Sequence, residues 1–154
     1  MNQIARPLYF LALTLWVGAL WTIGGIVAPT LFSALQDRSV AGAVAGRLFN
    51  IVAWLGVGSA CFLIVFQIID AGGQAFKRAS LWVIVLMLLL TLASLFGIQP
   101  LLAQLKAEAM PREVMESLVR DRFAAWHGVS SILYLIQCAL GGALVVLETV
   151  SGRR

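Results

Sequence analysis

Charge is what this chain has least of. Only 12% of its 154 residues are Asp, Glu, Lys or Arg, against roughly a quarter in an ordinary soluble domain. A water-facing surface cannot be covered with so few, so lipid is the solvent for most of the molecule. Histidine is down to a single residue, His127, which excludes any site built from two imidazoles. Cysteine is down to two, Cys61 and Cys138. Each sits inside an apolar run, where a thiol acts as a small packing residue and implies no disulfide framework. Dinucleotide fingerprints, P-loops and serine or cysteine hydrolase arrangements are absent from the sequence too. The net charge of +4 is small. Basic residues that anchor helix ends at lipid headgroups account for it, so nucleic acid is not an expected partner.

What the chain does have is apolar length. Runs at about 8–32, 48–69, 81–98 and 123–147 each reach the roughly 18–25 residues that a helix needs to cross a bilayer. Barrel strands are shorter and alternate apolar with polar residues. The expected fold is therefore all-α, an integral membrane four-helix antiparallel bundle. A single transmembrane domain covers 1–154, with helices at about 6–33, 41–70, 79–103 and 112–149. The first run is too long for a signal-peptide core and is kept as a helix of the mature protein.

Four spans place the start of the first and the end of the fourth on one side, here side A, which also holds the link between spans two and three. Side A carries Arg6, Lys77, Arg78, Arg153 and Arg154; side B carries Arg38, Arg47, Lys106, Arg112, Arg120 and Arg122. The counts are nearly even. The side B cations are interleaved with acids, so side A is read as cytoplasmic.

Several faces stand out at helical spacing. Thr14, Gly18, Thr22, Gly25 and Pro29 form a stripe on helix one, expected to pack inward because small faces let helices approach closely in lipid. Gly42, Gly46, Asn50, Ala53, Val57, Ala60 and Ile64 form a face on helix two that is again mostly small. Pro29 is expected to kink or end helix one, and Pro100 to distort the turn after it. The stretch 101–121 reads as an amphipathic surface helix, with Pro111 at a first helical position. On helix four, His127, Ser130, Ser131, Tyr134, Gln137, Cys138 and Gly141 make a polar stripe that must face protein or water. It serves either as interhelical glue or as the lining of a cavity.

Topology gathers the candidate binding residues at side B: Pro29, Arg47, Asn50, Gln99, Arg122, Trp126, His127 and Ser131. Side A offers no comparable cluster apart from Asp70 and Glu148. Arg47 and Arg122 read as cations at helix starts, where the backbone dipole is already positive. Their partners are either Asp37, Asp121, Glu116 and lipid phosphate, or a bound anion held by an arginine pair above His127. His127 titrates near neutrality and could relay a proton. Copper held by His127 with cysteine and Met87, or haem on His127, are the cofactor alternatives to having none.

The segments Leu15-Trp16-Val17-Gly18, Ala28-Pro29-Thr30-Leu31-Phe32, Ala41-Gly42 with Ala45-Gly46-Arg47-Leu48-Phe49, and Phe123 with His127-Gly128-Val129-Ser130 resemble a family of small four-helix bacterial membrane proteins. That family is classed as a domain of unknown function and is related to a eukaryotic TMEM-class protein. The resemblance covers almost the whole chain and implies a multi-pass protein of the bacterial inner membrane. More distantly the chain is similar to copper-resistance-D-like domains and to the membrane-bound protoporphyrinogen oxidase, which implies copper handling or haem-linked redox chemistry. It departs from those in having no histidine besides His127.

The expected function is non-enzymatic, with no catalytic residue: binding or passing a small solute or ion at a side B pocket. Expected partners are membrane lipids, a small anion or metal ion, and a second copy in a homo-oligomer. The alternatives are a haem- or quinone-linked oxidoreductase centred on His127, and a structural or assembly subunit.

Overall fold

The computed structural model describes residues 5–108 and 116–151, with side chains over 5–105 and 121–150. Among the described residues, four helices are long and apolar enough to cross a membrane: Ala5–Ala34, Arg38–Lys77, Ala79–Leu105 and Asp121–Val150. The chain folds as an all-α membrane bundle. Span one comprises α1 (Ala5–Thr22), a π-helical turn at Ile23–Val27, and α2 (Ala28–Ala34). Span two is α3 (Arg38–Ala71), followed by a 3₁₀ turn over Gly72–Lys77. Span three is α4 (Ala79–Ala93), a second π turn at Ser94–Ile98, and α5 (Gln99–Glu108). Span four is α6 (Glu116–Ser151).

Local chemistry sets the boundaries. Asp37 caps α3, its Oδ1 accepting from the N–H of Ser39 at 2.7 Å and of Val40 at 3.3 Å. The helix therefore starts at Arg38, three residues before the expected 41. Gly72 ends α3 at φ 53°, a backbone setting that favours glycine. Each proline acts on the turn before it. Pro29 and Pro100 lack an N–H, and their rings crowd the carbonyl one turn back. A π turn ahead of each widens the helix there and lets it continue. Helix one accordingly runs to Ala34, distorted and not ended by Pro29, while the distortion at Pro100 precedes the proline instead of following it. Helix three reaches Glu108, past the expected 103. The reading of Pro111 as a helix start, and of 112 as the beginning of helix four, lies outside the described residues.

Span one packs with its large side chains. Tyr9, Leu13, Trp16, Val17 and Leu20 are buried, and they meet Val52, Ala60 and Leu63 of span two, Ile84 and Met87 of span three, and Leu144 of span four. The small residues that matter stand opposite them. A Cβ on Gly56 would lie 2.6 Å from Trp16 Nε1, and one on Gly141 would lie 3.3 Å from the Val17 methyls. This corrects the inward stripe expected on helix one: Thr14, Gly18, Thr22, Gly25 and Pro29 are all exposed. The bundle is held by knobs from span one set into notches on its neighbours, so the small face of span one is turned away. On helix two the mostly small face is partly inward, with Ala60 in the core and Ile64 packed against it. Ala41, Ala45, Val52, Gly56, Ser59, Ala60, Leu63 and Gln67 are its buried positions, and Gly46 is exposed. Gly18→Leu, whose added side chain meets nothing within 4 Å at its Cβ, is expected to leave folded yield and melting temperature unchanged. A loss of more than a few degrees in detergent would place that face against protein.

Large apolar residues such as Leu11, Ile51, Ile69 and Leu135 point outward, as lipid-facing positions do. Trp82 at the side A end of span three donates its Nε1–H to Phe76 O at 3.0 Å, in keeping with an interfacial aromatic.

Candidate functional site

Among the described residues, one hydrogen bond joins candidate side B residues of different spans. Asn50 Nδ2 donates to Gln99 Oε1 at 2.9 Å, linking spans two and three in a partly buried setting. Pro29, Arg47, Arg122, Trp126, His127 and Ser131 are exposed. The His127 ring stacks on Phe123 one turn earlier, with centroids 5.8 Å apart and planes 7° apart. Ser131 Oγ donates to His127 O within the same helix, at 2.9 Å.

The electrostatic premise for an anion pair does not hold. Arg47 lies in the third turn of the helix that begins at Arg38, and Arg122 in the second turn after Glu116. The dipole's influence fades within the first turn. Asp37, one proposed partner, is spent on its own helix cap. Neither arginine makes an ion pair among the described residues; the pair found there is Asp70–Arg78, at 3.8 Å.

A mixed copper site does not fit either. His127 and Cys138 are eleven residues apart on one continuous helix, roughly 16 Å along its axis. Met87 packs beside Gly141, farther still from His127. Among the described residues, no group of three His, Cys, Asp or Glu side chains is gathered as a metal ion requires. For haem, His127 offers a lone imidazole already stacked on a phenyl ring.

The polar stripe of helix four grips its neighbours. Tyr134 Oη donates to Leu20 O at 2.7 Å. That carbonyl is the one a regular helix pairs with the N–H of residue 24, so the hydroxyl meets the ladder where span one opens into its π turn. Phe49 packs edge-on against the Tyr134 ring, at 4.9 Å between centroids. Gln137 Nε2 donates to Met87 O at 3.0 Å and Thr91 Oγ1 at 2.7 Å, just ahead of the second π turn. Trp21 Nε1 reaches Cys138 O at 3.1 Å. One helix thus fastens both broken spans at the turn before they break. Gln137 Oε1 is buried without a partner.

The densest polar cluster lies at side A, where the sequence pointed to Asp70 and Glu148 alone. Gln67 Nε2 stands 2.7 Å from Tyr9 Oη, 3.1 Å from Ser80 Oγ and 3.1 Å from Glu148 Oε1. Each of the four spans supplies one of these residues. Asp70, one turn beyond Gln67, pairs with Arg78 through one oxygen, while Oδ1 is buried without a partner. Comparing spans by depth would have found the cluster: each residue lies near the side A end of its own run.

Fold and site together define a multi-pass α-helical membrane protein, two of whose spans are broken near one face. Residues 11–111 match the domain of unknown function DUF4149, and the chain belongs to that family. No curated protein and no solved structure matches it.

Proposed function

We propose that this is a non-enzymatic membrane protein that binds or passes a small solute or ion at the side B end of the bundle. The observation that supports this reading is the paired break. Spans one and three each carry a π turn followed by proline, and the Asn50–Gln99 amide pair stands at the second of them. A proline cannot return a backbone donor to the preceding turn, so carbonyl oxygen is left for another partner. π turns within helices occur frequently at functional sites, and irregular backbone at membrane depth is tolerated where it lines a cavity or is buried in protein. The exposed cations Arg47 and Arg122 set the charge at the same end.

The test is a thermal-shift panel of phosphates, carboxylates, ammonium salts and anionic lipids on purified protein. It is run on wild type, on Arg47→Lys and on the double variant Asn50→Leu/Gln99→Leu. Changing both amides together leaves neither one unpaired, so the fold should change by no more than about 1 kcal/mol. At least one solute should raise the melting temperature of wild type and lose that effect in the double variant. Identical responses in all three proteins would reject the reading.

A further inference from the structure

The bundle is two helical hairpins, spans one and two and spans three and four, and they part at side B. We propose that the opening between them holds a phospholipid with an anionic headgroup, its phosphate beside Arg47 and its acyl chains leaving between spans one and four. This names the solute of the side B reading and rests on that reading. Toward side B, α2 packs on α3 and α5 packs on α6, each within its own hairpin. The hairpins meet each other chiefly through α1 on α6 and α3 on α4, the halves nearer side A. Two contacts join them closer to side B: the Asn50–Gln99 bond and the Phe49–Tyr134 ring pair. The π turns at Ile23–Val27 and Ser94–Ile98 lie at the same level.

Beyond those contacts the facing surfaces open. Gly46 stands one turn from Asn50, on the face that meets the other hairpin, yet a Cβ there would find nothing within 4 Å. Residues 21–34 of span one and 121–136 of span four include no buried position. The opening runs deeper between spans one and four, where it starts at Tyr134, than between spans two and three, where it starts at Asn50. Tyr134 is fourteen residues from Glu148 and Asn50 is twenty from Asp70, about 21 and 30 Å along their helices. A hydrocarbon core is about 30 Å thick. Arg47 therefore lies at phosphate depth, while the slot between spans one and four reaches down among the acyl chains. Trp21 bridges to Cys138 O at the edge of that slot. Phe32 follows on the same face of span one, three turns on. Both rings are exposed, at 57% and 46%, an edge that suits hydrocarbon and not a water-borne anion. Charge selects the headgroup. Arg47 and Arg122 are exposed and make no ion pair among the described residues. Asp37, the acid nearest Arg47 in sequence, is held in its own helix cap. Arginine meets a phosphate through two parallel N–H donors.

The experiment places the purified protein in nanodiscs of equimolar phosphatidylglycerol and phosphatidylcholine and identifies the lipid it retains on release by native mass spectrometry. Wild type is expected to keep phosphatidylglycerol over phosphatidylcholine by about 10-fold. Gly46→Trp, which fills the opening from a position with free space, should lose most of the retained lipid while remaining folded. Arg47→Gln should keep lipid and lose the preference for the anionic headgroup. Equal retention of both lipids by wild type, unaltered retention in Gly46→Trp, or an unchanged preference in Arg47→Gln overturns the proposal. If Gly46→Trp does not fold, Ser131→Trp closes the opening from the other hairpin, and unaltered retention there overturns it equally. Displacement by glycerol phosphate at the lipid's own concentration assigns the site to a free phosphate and overturns it. A dimer mass without lipid assigns the opening to a second copy, with the same result. A thermal shift with a water-soluble solute but no lipid preference keeps the side B reading and rejects this one; no response in either experiment rejects both.

Discussion

Gly56→Leu is expected to leave almost no folded protein. Its Cβ would lie 2.6 Å from Trp16 Nε1 and 3.2 Å from Cε2. Trp16 is 1% exposed and among the largest fully buried side chains, so the indole has nowhere to go. Overpacking a tight core typically costs about 1–3 kcal/mol; here a rigid bicyclic ring and a helix backbone meet, which places the effect at or beyond the upper end. Gly24→Ala should behave similarly, because its Cβ would run into the Tyr134 ring, which also inserts its hydroxyl into the Leu20 turn. Size-exclusion yield and near-ultraviolet circular dichroism in detergent read both effects. Trp16→Leu should partly rescue Gly56→Leu and do nothing for Gly24→Ala. Normal yield and melting of Gly56→Leu alone would show that the Trp16 notch is not a close contact.

That prediction also marks how far the sequence could be read. Four apolar runs of spanning length, and hence the fold class, were plain from composition because the bilayer imposes a length on every helix. The bundle's interior was not. Thr14, Gly18, Thr22 and Gly25 have the spacing of a packing face, but spacing alone does not say which face of an apolar helix turns inward when both faces are apolar. In water the polar face settles that question; in lipid it does not. Trp16 and Tyr9, on the opposite face, were the better signal, because a large side chain needs a notch and Gly56, Ala60 and Gly141 supply notches. At the candidate sites, Asn50 and Gln99 are joined as their shared end of the bundle suggested. The expected role of Arg47 and Arg122 rested on placing both at helix starts, whereas each lies more than one turn inside its helix. The side A cluster escaped notice because each of its residues is unremarkable within its own span and acquires meaning when four spans are aligned by depth.

Gln67→Leu is expected to destabilise the protein far more than Gln137→Leu, although both replace a buried membrane glutamine. Gln137 gives two hydrogen bonds, to Met87 O and Thr91 Oγ1, and its own Oε1 has no partner. Met87 O also accepts from Thr91 Oγ1 at 2.8 Å, so it keeps a side-chain donor when Gln137 is removed. Leucine there deletes an orphaned oxygen along with two bonds, and the net change should stay within about 1 kcal/mol, in line with the modest worth of interhelical bonds in lipid. Gln67 differs because Glu148 depends on it. Leucine at 67 removes the amide nitrogen that stands within 3.1 Å of the carboxylate, Tyr9 Oη and Ser80 Oγ, and with it the two hydrogens they share. A buried acceptor left unmet costs about 1–3 kcal/mol, and more when it is charged. Gln67→Leu/Glu148→Leu should recover much of the loss, since removing both members of a buried polar pair is far milder than removing one. The comparison is made by thermal melting of all four proteins in the same nanodiscs. Equal losses at 67 and 137, or no recovery in the double variant, would mean that Glu148 is solvated from side A and does not rely on the glutamine.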